Sequence, residues 1–358
     1  MTQTPGLLLL LPALSCSVDG EPAQTEQGAT PPVLTSSSET GEPTPPTTTP
    51  CAPADAPGVL LPKTTTFGGE SRTWVLYLPA GYDCTARPMV VGLHSYYGSG
   101  VRFARDEAQM LGWLDANQVI GVFPDGQTAG ASGYAASVTA FNDLGSRNDD
   151  GPDGQTCADD AFPYIAYDNC GPDEVDRQCR WGTSCADDAG FVRALIEEVE
   201  ASYPRGSTFL MGFSQGGQTT QSFACPLSDL LTAVVPLHGF SANGFTCAPQ
   251  TPLSMLQVFG TRDNIVAAYG LPGGDGFIYD SAAETAEVWG EAQGCAAGDT
   301  VYPTVSDGIE GWTCVERAGC ATAARVVTCS WDGAHVWGRN DEGDFTFDAI
   351  AEFLAPLL

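Results

Sequence analysis

Basic residues are scarce in this sequence. Lysine occurs once, at Lys63, and lysine and arginine together number 14 against 44 aspartates and glutamates, so the 358 residues carry a formal net charge of −30. A chain with this charge repels phosphate backbones and anionic membranes. We therefore exclude nucleic-acid binding as its main activity and expect the acidity to keep the surface soluble.

Long apolar segments are also rare. The apolar run at 7–15 is too short to span a bilayer, and no other stretch is typical of a transmembrane helix. The run leads into Ala13-Leu14-Ser15-Cys16, which resembles a bacterial lipoprotein signal, although leucine is missing three positions before the cysteine and basic residues are missing before the run. We predict that residues 1–16 are a signal or lipoprotein-type segment, with a lipid anchor at Cys16 or a cleaved signal as the alternatives. Either implies an extracellular or cell-envelope location.

Zinc-ribbon spacing is absent from the cysteines. None of the 13 cysteines forms a CxxC pair, so we expect no structural zinc. Thirteen cysteines in a chain of this size instead indicate a disulfide framework formed in an oxidising compartment. If Cys16 carries a lipid or leaves with the signal, twelve of the 13 remain, enough for six bridges.

Composition divides the chain into three parts. Residues 17–57 are rich in Thr, Pro, Ser, Glu and Gln, and we predict a disordered linker there. Residues 58–358 alternate between strand-like and helix-like apolar patterns, which is typical of an α/β fold with a mostly parallel sheet and helices on both faces. Residues 125–186 interrupt this alternation with Gly, Asp, Asn and four cysteines. We expect this stapled insertion to form a lid or pocket wall above the sheet.

The apolar patterns also give the approximate positions of the elements. The predicted strands of the sheet are 73–78, 89–94, 119–123, 208–211, 231–237, 255–259 and 325–329. The predicted helices lie around 103–114, from Asp187 or Asp188 to Val199, after Ser214, at 281–293 and at 347–357.

The pentapeptide Gly212-Phe213-Ser214-Gln215-Gly216 fits the pattern G-x-S-x-G and lies between a predicted strand and a predicted helix. Glycines in that context permit a sharp strand-to-helix turn, which presents the serine hydroxyl at the sheet edge near a helix N-terminus. The pattern alone is a weak signal in a chain with 42 glycines, so the interpretation depends on its context and on the partners of the serine. We predict Ser214 as a nucleophile.

A nucleophilic serine needs a base, and the base needs an acid that orients it. His335 lies in a glycine-containing loop after the last predicted strand, which is where an α/β-hydrolase carries its base. Asp263 directly follows the strand 255–259. The order Ser214, Asp263, His335 is that of α/β-hydrolases, and we predict these three as the catalytic triad.

Two N–H donors are needed to stabilise the oxyanion. We expect one from the backbone of Gln215 and the other from the loop after His94, with Tyr96 the first choice and Ser95 the second. His94 itself is expected to shape this loop and to border the substrate. The remaining histidine, His238, is expected to be a core or rim residue whose nitrogens are satisfied.

These motifs resemble the extracellular esterase family that contains polyhydroxybutyrate depolymerases, feruloyl esterases and family-one carbohydrate esterases. The matching stretches, in family order, are Leu78-Pro79-Ala80-Gly81-Tyr82, Leu93-His94-Ser95, Phe123-Pro124-Asp125-Gly126, 187–195, 212–217, Gly260-Thr261-Arg262-Asp263, Gly294-Cys295 and Gly333-Ala334-His335-Val336-Trp337. The resemblance implies an α/β-hydrolase fold with the same triad, and it suggests that Trp337 lies near the substrate pocket. Ser95 departs from the glycine usual after that histidine, and the insertion is longer than is usual in the family.

The predicted function is that of an extracellular serine carboxylic-ester hydrolase that works through an acyl-enzyme, without cofactor or metal. We expect it to act on feruloyl or acetyl esters of plant polysaccharide, or on short polyesters such as polyhydroxybutyrate. Soluble or polysaccharide-linked esters are favoured, because a polyester depolymerase usually has a separate surface-binding module and this sequence ends soon after His335. The alternatives are a peptidase or lipase on the same fold, or a non-catalytic surface-binding protein on a hydrolase scaffold. We expect a monomer. The run 148–154 could bind calcium, but a solvated turn is favoured.

The cysteines allow a prediction of pairing. In a predicted hairpin of 312–317 and 324–330, Cys314 faces Cys329, which leaves Cys295 for Cys320, a pair that the family pattern also suggests. We further expect the bridges Cys225–Cys247 and Cys51–Cys84, and pairing of Cys157, Cys170, Cys179 and Cys185 among themselves. Connectivity cannot be deduced from sequence alone, but bridged Cα atoms should lie about 4.4–6.8 Å apart.

Overall fold

A ten-stranded sheet forms the centre of the protein. The computed structural model describes residues 54–145, 148–180, 182–341 and 343–358, so the predicted segment 1–16, most of 17–57, Cys16 and Cys51 lie outside the described residues. The strands are β1 (Leu60–Phe67), β2 (Glu70–Tyr77), β3 (Arg87–Leu93), β4 (Ile120–Pro124), β5 (Arg205–Phe213), β6 (Ala233–Leu237), β7 (Ser254–Gly260), β8 (Asp299–Val301), β9 (Thr313–Arg317) and β10 (Val326–Trp331).

The strands lie in the order β1-β2-β4-β3-β5-β6-β7-β10-β9-β8. The run from β4 to β10 is parallel throughout, whereas the strands at both edges are antiparallel. Parallel strands buried on both faces have nearly continuous apolar sequences, and every strand predicted from the sequence is present. The apolar pattern missed the two edge strands, β1 and β8, because three of the eight residues of β1 and all three residues of β8 are exposed. The predicted α/β-hydrolase fold class is confirmed.

Helices cover both faces of the sheet. They are α1 (Leu111–Asn117), α2 (Asp188–Ser202), α3 (Gln215–Ala224), α4 (Ala282–Ala292) and α5 (Phe345–Leu354), with shorter helical segments at Gly100–Arg102, Phe103–Glu107, Gly133–Ser137, Pro172–Val175 and Ala355–Leu357. Helices α2, α3 and α4 bury Phe191, Phe223 and Trp289 against one face, while α1 and α5 bury Leu114 and Phe353 against the other. Among the described residues, no helix is long and apolar enough to cross a membrane.

Side-chain caps fix where the helices begin. Asp187 caps α2 by accepting a hydrogen bond from the Gly190 N–H at 2.9 Å, and Ser281 forms a capping box with Glu284 at the start of α4. The helical face predicted for 103–114 is interrupted. A π-helical segment ends at Glu107, and Gln109 in the left-handed region (φ +49°) separates it from α1.

The compact body begins slightly before the predicted boundary at residue 58. The carboxylate of Asp55 accepts hydrogen bonds from the Lys63 ammonium at 2.5 Å and from the Tyr203 hydroxyl at 2.7 Å. These two contacts attach the last residues of the predicted linker to β1 and to the end of α2.

The insertion 125–186 packs beside the carboxyl ends of the central strands. The Gln215 side-chain amide, at the start of α3, donates to the Phe141 carbonyl at 2.8 Å, and the ring of Tyr164 lies 5.5 Å from that of Tyr96. Two short hairpins pair Gln127–Thr128 with Thr139–Ala140 and Asp150–Gly151 with Gly154–Gln155. The insertion therefore contacts both the start of the helix after β5 and the loop after β3.

The run 148–154, considered for calcium, contains the second of these hairpins. The Asn148 side-chain oxygen accepts a hydrogen bond from the Arg177 guanidinium at 2.9 Å, and the Asp149 carboxylate accepts one from the Cys179 N–H at 2.8 Å. A cationic group and a backbone donor thus occupy two of the oxygens that a cation would need. The segment agrees with the favoured turn rather than with a calcium loop.

Helix α3 lies very close to the strands beside it. A Cβ atom on Gly216 would lie 2.2 Å from the Leu93 carbonyl oxygen, and one on Gly212 would lie 2.3 Å from the Gly216 carbonyl oxygen. Only glycine fits at these two positions without a backbone shift. The close approach holds the turn between β5 and α3 against the end of β3.

Five disulfides lie within the described residues, and they agree with the predicted pairing. They are Cys157–Cys179, Cys170–Cys185, Cys225–Cys247, Cys295–Cys320 and Cys314–Cys329. The first three have Cα separations of 5.1–6.1 Å, and the last two are closer than predicted, at 3.5 and 4.1 Å. Cys314 and Cys329 are direct partners in the β9–β10 ladder, as the hairpin register predicts. Cys51, the predicted partner of Cys84, lies outside the described residues.

Replacing Gly216 by alanine should destabilise the protein by about 1–3 kcal/mol or more, because the added methyl must displace the Leu93 backbone. The measurement is chemical denaturation, with Gly112→Ala as the matched control. Gly112 lies in α1, and no atom comes within 4 Å of an added Cβ, so this variant should be neutral or stabilised by up to about 1 kcal/mol. Equal unfolding midpoints for Gly216→Ala and the parent chain would show that the close approach is not a constraint.

Removing the Cys314–Cys329 bridge should lower the melting temperature measured by calorimetry under oxidising conditions. A bridge of this span stabilises the folded state by about 3 kcal/mol in the chain-entropy treatment. The double variant Cys170→Ser, Cys185→Ser is the matched control, because both bridges have a sequence separation of 15 but this one lies in the insertion, outside the main sheet. We expect a smaller loss for the control, and an equal or larger loss would contradict this expectation.

Candidate active site

Four neighbouring strands each deliver one polar side chain to the same edge of the sheet. Strands β5, β6, β7 and β10 lie side by side, and the residues that follow their carboxyl ends include Ser214, His238, Asp263 and His335 respectively. In open α/β sheets, ligands bind in the crevice beyond these carboxyl ends. The three residues predicted as a triad are thus brought together, and a second histidine joins them.

Ser214 occupies a strained turn. Its backbone has φ +58° and ψ −121°, a conformation that non-glycine residues rarely adopt. The turn is held by the Ser214 N–H, which donates to the Leu237 carbonyl at 2.8 Å. Its hydroxyl oxygen lies 2.7 Å from His335 Nε2. This is the geometry of a nucleophile elbow, in which the strain presents the hydroxyl to a base.

The loops that carry Asp263 and His335 are joined by the sheet. Hydrogen bonds continue beyond β7 and β10, from the Thr261 N–H to the Trp331 carbonyl and from the Arg262 N–H to the Gly333 carbonyl, both at 2.8 Å. His335 Nδ1 lies 2.7 Å from Asp263 Oδ2. A carboxylate can only accept, so Nδ1 carries the proton and Nε2 keeps the lone pair that faces the serine hydroxyl.

The Asp263 carboxylate accepts four hydrogen bonds. Its Oδ1 accepts from the N–H groups of Ile265 and Val266 at 2.9 and 3.1 Å, and its Oδ2 accepts from His335 at 2.7 Å and from His238 at 3.1 Å. Burial alone would raise the pKa of Asp263, but donation from the two imidazoles and the backbone outweighs burial, and the pKa lies well below its ordinary value. The carboxylate therefore stays ionised and can accept the hydrogen bond that orients the His335 imidazole.

The contact with His238 was missed in the sequence analysis. His238 is buried as predicted, but only Nδ1 is satisfied, and Nε2 has no hydrogen-bond partner among the described residues. The available signal was its position directly after β6, the strand between those that deliver Ser214 and Asp263. Candidate ligand atoms of His238, Asp263 and His335 lie within 4.8 Å of one another. Because both Nδ1 atoms face the carboxylate as donors, we assign this cluster to hydrogen bonding rather than to a metal.

The predicted oxyanion donors lie around the nucleophile turn. Gln215 is the first residue of α3, so its N–H has no acceptor within the helix. The Ser95 hydroxyl donates to Glu107 at 2.8 Å, and burial raises the pKa of this carboxyl. The Tyr96 ring packs edge-on against Tyr164 at 5.5 Å. The backbone N–H groups of Gln215, Tyr96 and Ser95 stay the predicted donors, while the Ser95 side chain is occupied by Glu107.

The structure corrects the role predicted for His94. Its side chain is fully buried, with Nδ1 2.8 Å from the Ser95 carbonyl and Nε2 accepting from the Gly126 N–H at 2.9 Å. Burial lowers the pKa of His94, which keeps the ring neutral. Both nitrogens thus bind loop backbone, so the prediction that His94 borders the substrate is wrong. The contacts agree with the other prediction, that His94 shapes the loop after β3.

Trp337 lies beside the nucleophile turn. Its ring is 5.9 Å from Phe213, the residue before Ser214, and its indole N–H donates to Asp344 at 2.7 Å. The Arg339 guanidinium lies 5.5 Å above the ring. The indole is half-buried and held from two sides. Its predicted place near the substrate pocket stays a prediction.

Curated proteins with similar sequences include feruloyl esterases. The chain is 27% identical over 183 residues to feruloyl esterase B of Piromyces equi, a match that covers 48% of this chain and 32% of that protein. It is 27% identical over 157 residues to probable feruloyl esterase C of Aspergillus niger, covering 43% of this chain and 52% of that protein. The chain thus matches between a third and about half of the length of these curated relatives. No protein-family model matches it.

Among solved structures, an acetyl xylan esterase from Aspergillus awamori superposes with a TM-score of 0.49 and 13% identity, over 81% of this chain and all of that chain. The predicted resemblance to an esterase family is confirmed: the chain has the α/β-hydrolase fold, and curated proteins similar to it include feruloyl esterases.

Proposed function

We propose that the protein is an extracellular serine carboxylic-ester hydrolase that works through an acyl-enzyme. The observation that carries this proposal is the unbroken hydrogen-bond chain from Ser214 Oγ through the His335 imidazole to Asp263 Oδ2, with 2.7 Å at each step. A serine, a histidine and an aspartate in this geometry form a nucleophile, a base and the group that orients the base.

The first half of the reaction transfers the acyl group to the enzyme. Ser214 Oγ attacks the ester carbonyl while His335 Nε2 takes its proton, and Asp263 stabilises the imidazolium that forms. The tetrahedral oxyanion is stabilised by the Gln215 N–H and by an N–H of the loop after β3. His335 then gives the proton to the alcohol oxygen as the bond between this oxygen and the acyl carbon breaks. The alcohol departs, and the acyl group stays bound to Ser214 Oγ as an ester.

The second half releases the acyl group. A water molecule takes the place of the alcohol, and His335 Nε2 removes its proton as the water oxygen attacks the acyl carbonyl. The second tetrahedral oxyanion accepts hydrogen bonds from the same N–H groups. Its collapse returns the proton from His335 to Ser214 Oγ and frees the carboxylic acid. All proton transfers use one imidazole, so no cofactor takes part in these steps.

We propose feruloyl or acetyl esters of plant polysaccharide as the substrates, rather than a short polyester such as polyhydroxybutyrate. Similarity to proteins named feruloyl esterases supports this choice. The net charge of −30 disfavours polyanionic substrates. Five disulfides among the described residues are consistent with an oxidising, extracellular compartment.

Substitution of the nucleophile tests the mechanism. Ser214→Ala should lower kcat for a soluble ester by about 10⁴-fold or more, since the remaining groups have no nucleophile to activate. Ser222→Ala is the matched control, because Ser222 lies in the same helix and its hydroxyl donates to the Gln218 carbonyl of that helix. It should keep near-parental turnover. Near-parental turnover by a folded Ser214→Ala variant would end the serine-esterase proposal.

A substrate panel tests the acyl class. Methyl ferulate, acetylated xylan, polyhydroxybutyrate and an amide analogue of the best ester should be compared by kcat/KM or, for the polymers, by initial rate. We expect hydrolysis of feruloyl or acetyl esters and at most slow cleavage of the amide. Preference for polyhydroxybutyrate would contradict the substrate proposal alone, whereas preference for the amide would indicate a peptidase.

A further inference from the structure

His238 holds an unusual position for a buried polar side chain. It follows β6 with a backbone φ of +48°, and its N–H donates to the Val258 carbonyl of β7 at 2.8 Å. Its side chain is fully excluded from solvent, yet among the described residues it makes a single hydrogen bond, to the carboxylate of Asp263. A left-handed backbone and an unsatisfied Nε2 both cost free energy, so packing alone is a poor reason for a histidine here.

We propose that His238 is a positioning residue for the hydrolase: it donates a second imidazole hydrogen bond to Asp263 Oδ2 and thereby limits how strongly that carboxylate holds a proton on His335. This inference rests on the proposed function, because it requires His335 to act as the base. A triad needs only one imidazole, and the second one donates to the same carboxylate oxygen as His335 does.

The hydrogen-bond chemistry identifies the form of the ring. Asp263 Oδ2 can only accept, so His238 Nδ1 must carry a proton. Burial lowers the pKa of His238, and this effect outweighs donation to Asp263, so the ring stays neutral and Nε2 holds a bare lone pair. His238 is therefore a fixed dipole whose positive end points at the carboxylate, rather than a second positive charge.

The two imidazoles share one oxygen unequally. His335 Nδ1 lies 2.7 Å from Asp263 Oδ2, and His238 Nδ1 lies 3.1 Å from the same atom. Charge that the oxygen shares with His238 is not available to stabilise the imidazolium of His335. With the backbone donors on Oδ1, the second imidazole also prevents rotation of the carboxylate.

The surroundings limit what else could titrate with this cluster. The two imidazole rings are 5.6 Å apart and perpendicular, and Phe213 packs against both, at 5.3 Å from His238 and 5.5 Å from His335. Within the described part of the chain, Asp275 also interacts electrostatically with His335, and its carboxylate accepts a hydrogen bond from the Tyr164 hydroxyl at 2.9 Å. Asp275 is unchanged in every variant used below.

Three substitutions separate the donor from the space that the ring fills. His238→Leu removes the donor and keeps a side chain in a strained backbone position, while His238→Gly removes the donor, relieves the strain and leaves a cavity. His238→Asn is the conservative variant, because its amide nitrogen stands where Nδ1 stands and asparagine tolerates a positive φ. An effect shared by Leu and Gly and reversed by Asn must therefore come from the missing donor.

The readout is kcat and KM of the full chain on one soluble ester from pH 4.5 to 9. For Leu and Gly we expect the acid limb of kcat/KM, which reports protonation of the base, to move to higher pH by roughly 0.5–1 unit, because the carboxylate holds the proton on His335 more strongly. At the optimum, kcat should fall roughly 3- to 30-fold with KM within about twofold. Asn should keep the parental acid limb. An unchanged acid limb in Leu and Gly, or the same shift in Asn, would overturn the inference.

A second measurement uses the parental chain and therefore does not depend on whether any variant folds. In ¹⁵N-histidine spectra of the parental chain, which has three histidines, His238 should stay a neutral Nδ1–H ring from pH 5 to 8, and an Nε2–H or titrating His238 would overturn the inference. Failure of the proposed function is distinguishable from this outcome. It would appear as parental hydrolysis that does not depend on Ser214, whatever form the His238 ring takes.

Discussion

Asp263 brings a negative charge into the interior at the edge where four parallel strands end. The free energy of burying a charge without partners is prohibitively high. Each hydrogen bond to a charged group contributes about 1.5–3 kcal/mol to the stability of the folded state. The four donors come from its own loop, from the end of β6 and from the loop after β10. These donors reach the carboxylate only when β6, β7 and β10 lie side by side in register. The geometry of the site therefore depends on the strand order of the sheet.

The other side of the site is held by neutral polar side chains. His94 links the Ser95 carbonyl to the Gly126 N–H, and the Gln215 amide links α3 to Phe141 of the insertion. These buried groups connect the loop after β3, the insertion and the nucleophile helix without a covalent bond. Disulfides brace the insertion and the β9–β10 hairpin farther along the chain. Hydrogen bonds thus hold the loop after β3 and the start of α3, the two places that carry the predicted N–H donors to the oxyanion.

Sequence patterns predicted what depends on local chemistry. Buried parallel strands, the glycines around Ser214 and the cysteine register of the β9–β10 hairpin all leave strong local signals, and these predictions agree with the structure. The role of His94 and the contact of His238 with Asp263 depend on which strand ends lie side by side. Strand order in the sheet differs from chain order, so a linear pattern does not contain it. The break at Gln109 was missed for a different reason: a left-handed backbone at a non-glycine residue leaves no mark on the apolar pattern, which continues on both sides of it.

The central claim is that His335 and Asp263, positioned at the strand ends, activate Ser214 as a nucleophile and leave the other serines unreactive. The most direct test is to treat the folded chain with a fluorophosphonate, digest it and locate the adduct by mass spectrometry. An activated serine attacks phosphorus and displaces fluoride, whereas ordinary hydroxyls do not react. We predict a single phosphonyl group on the peptide that contains Ser214. A folded chain that stays unlabelled, or that carries the group on another residue, would contradict the claim.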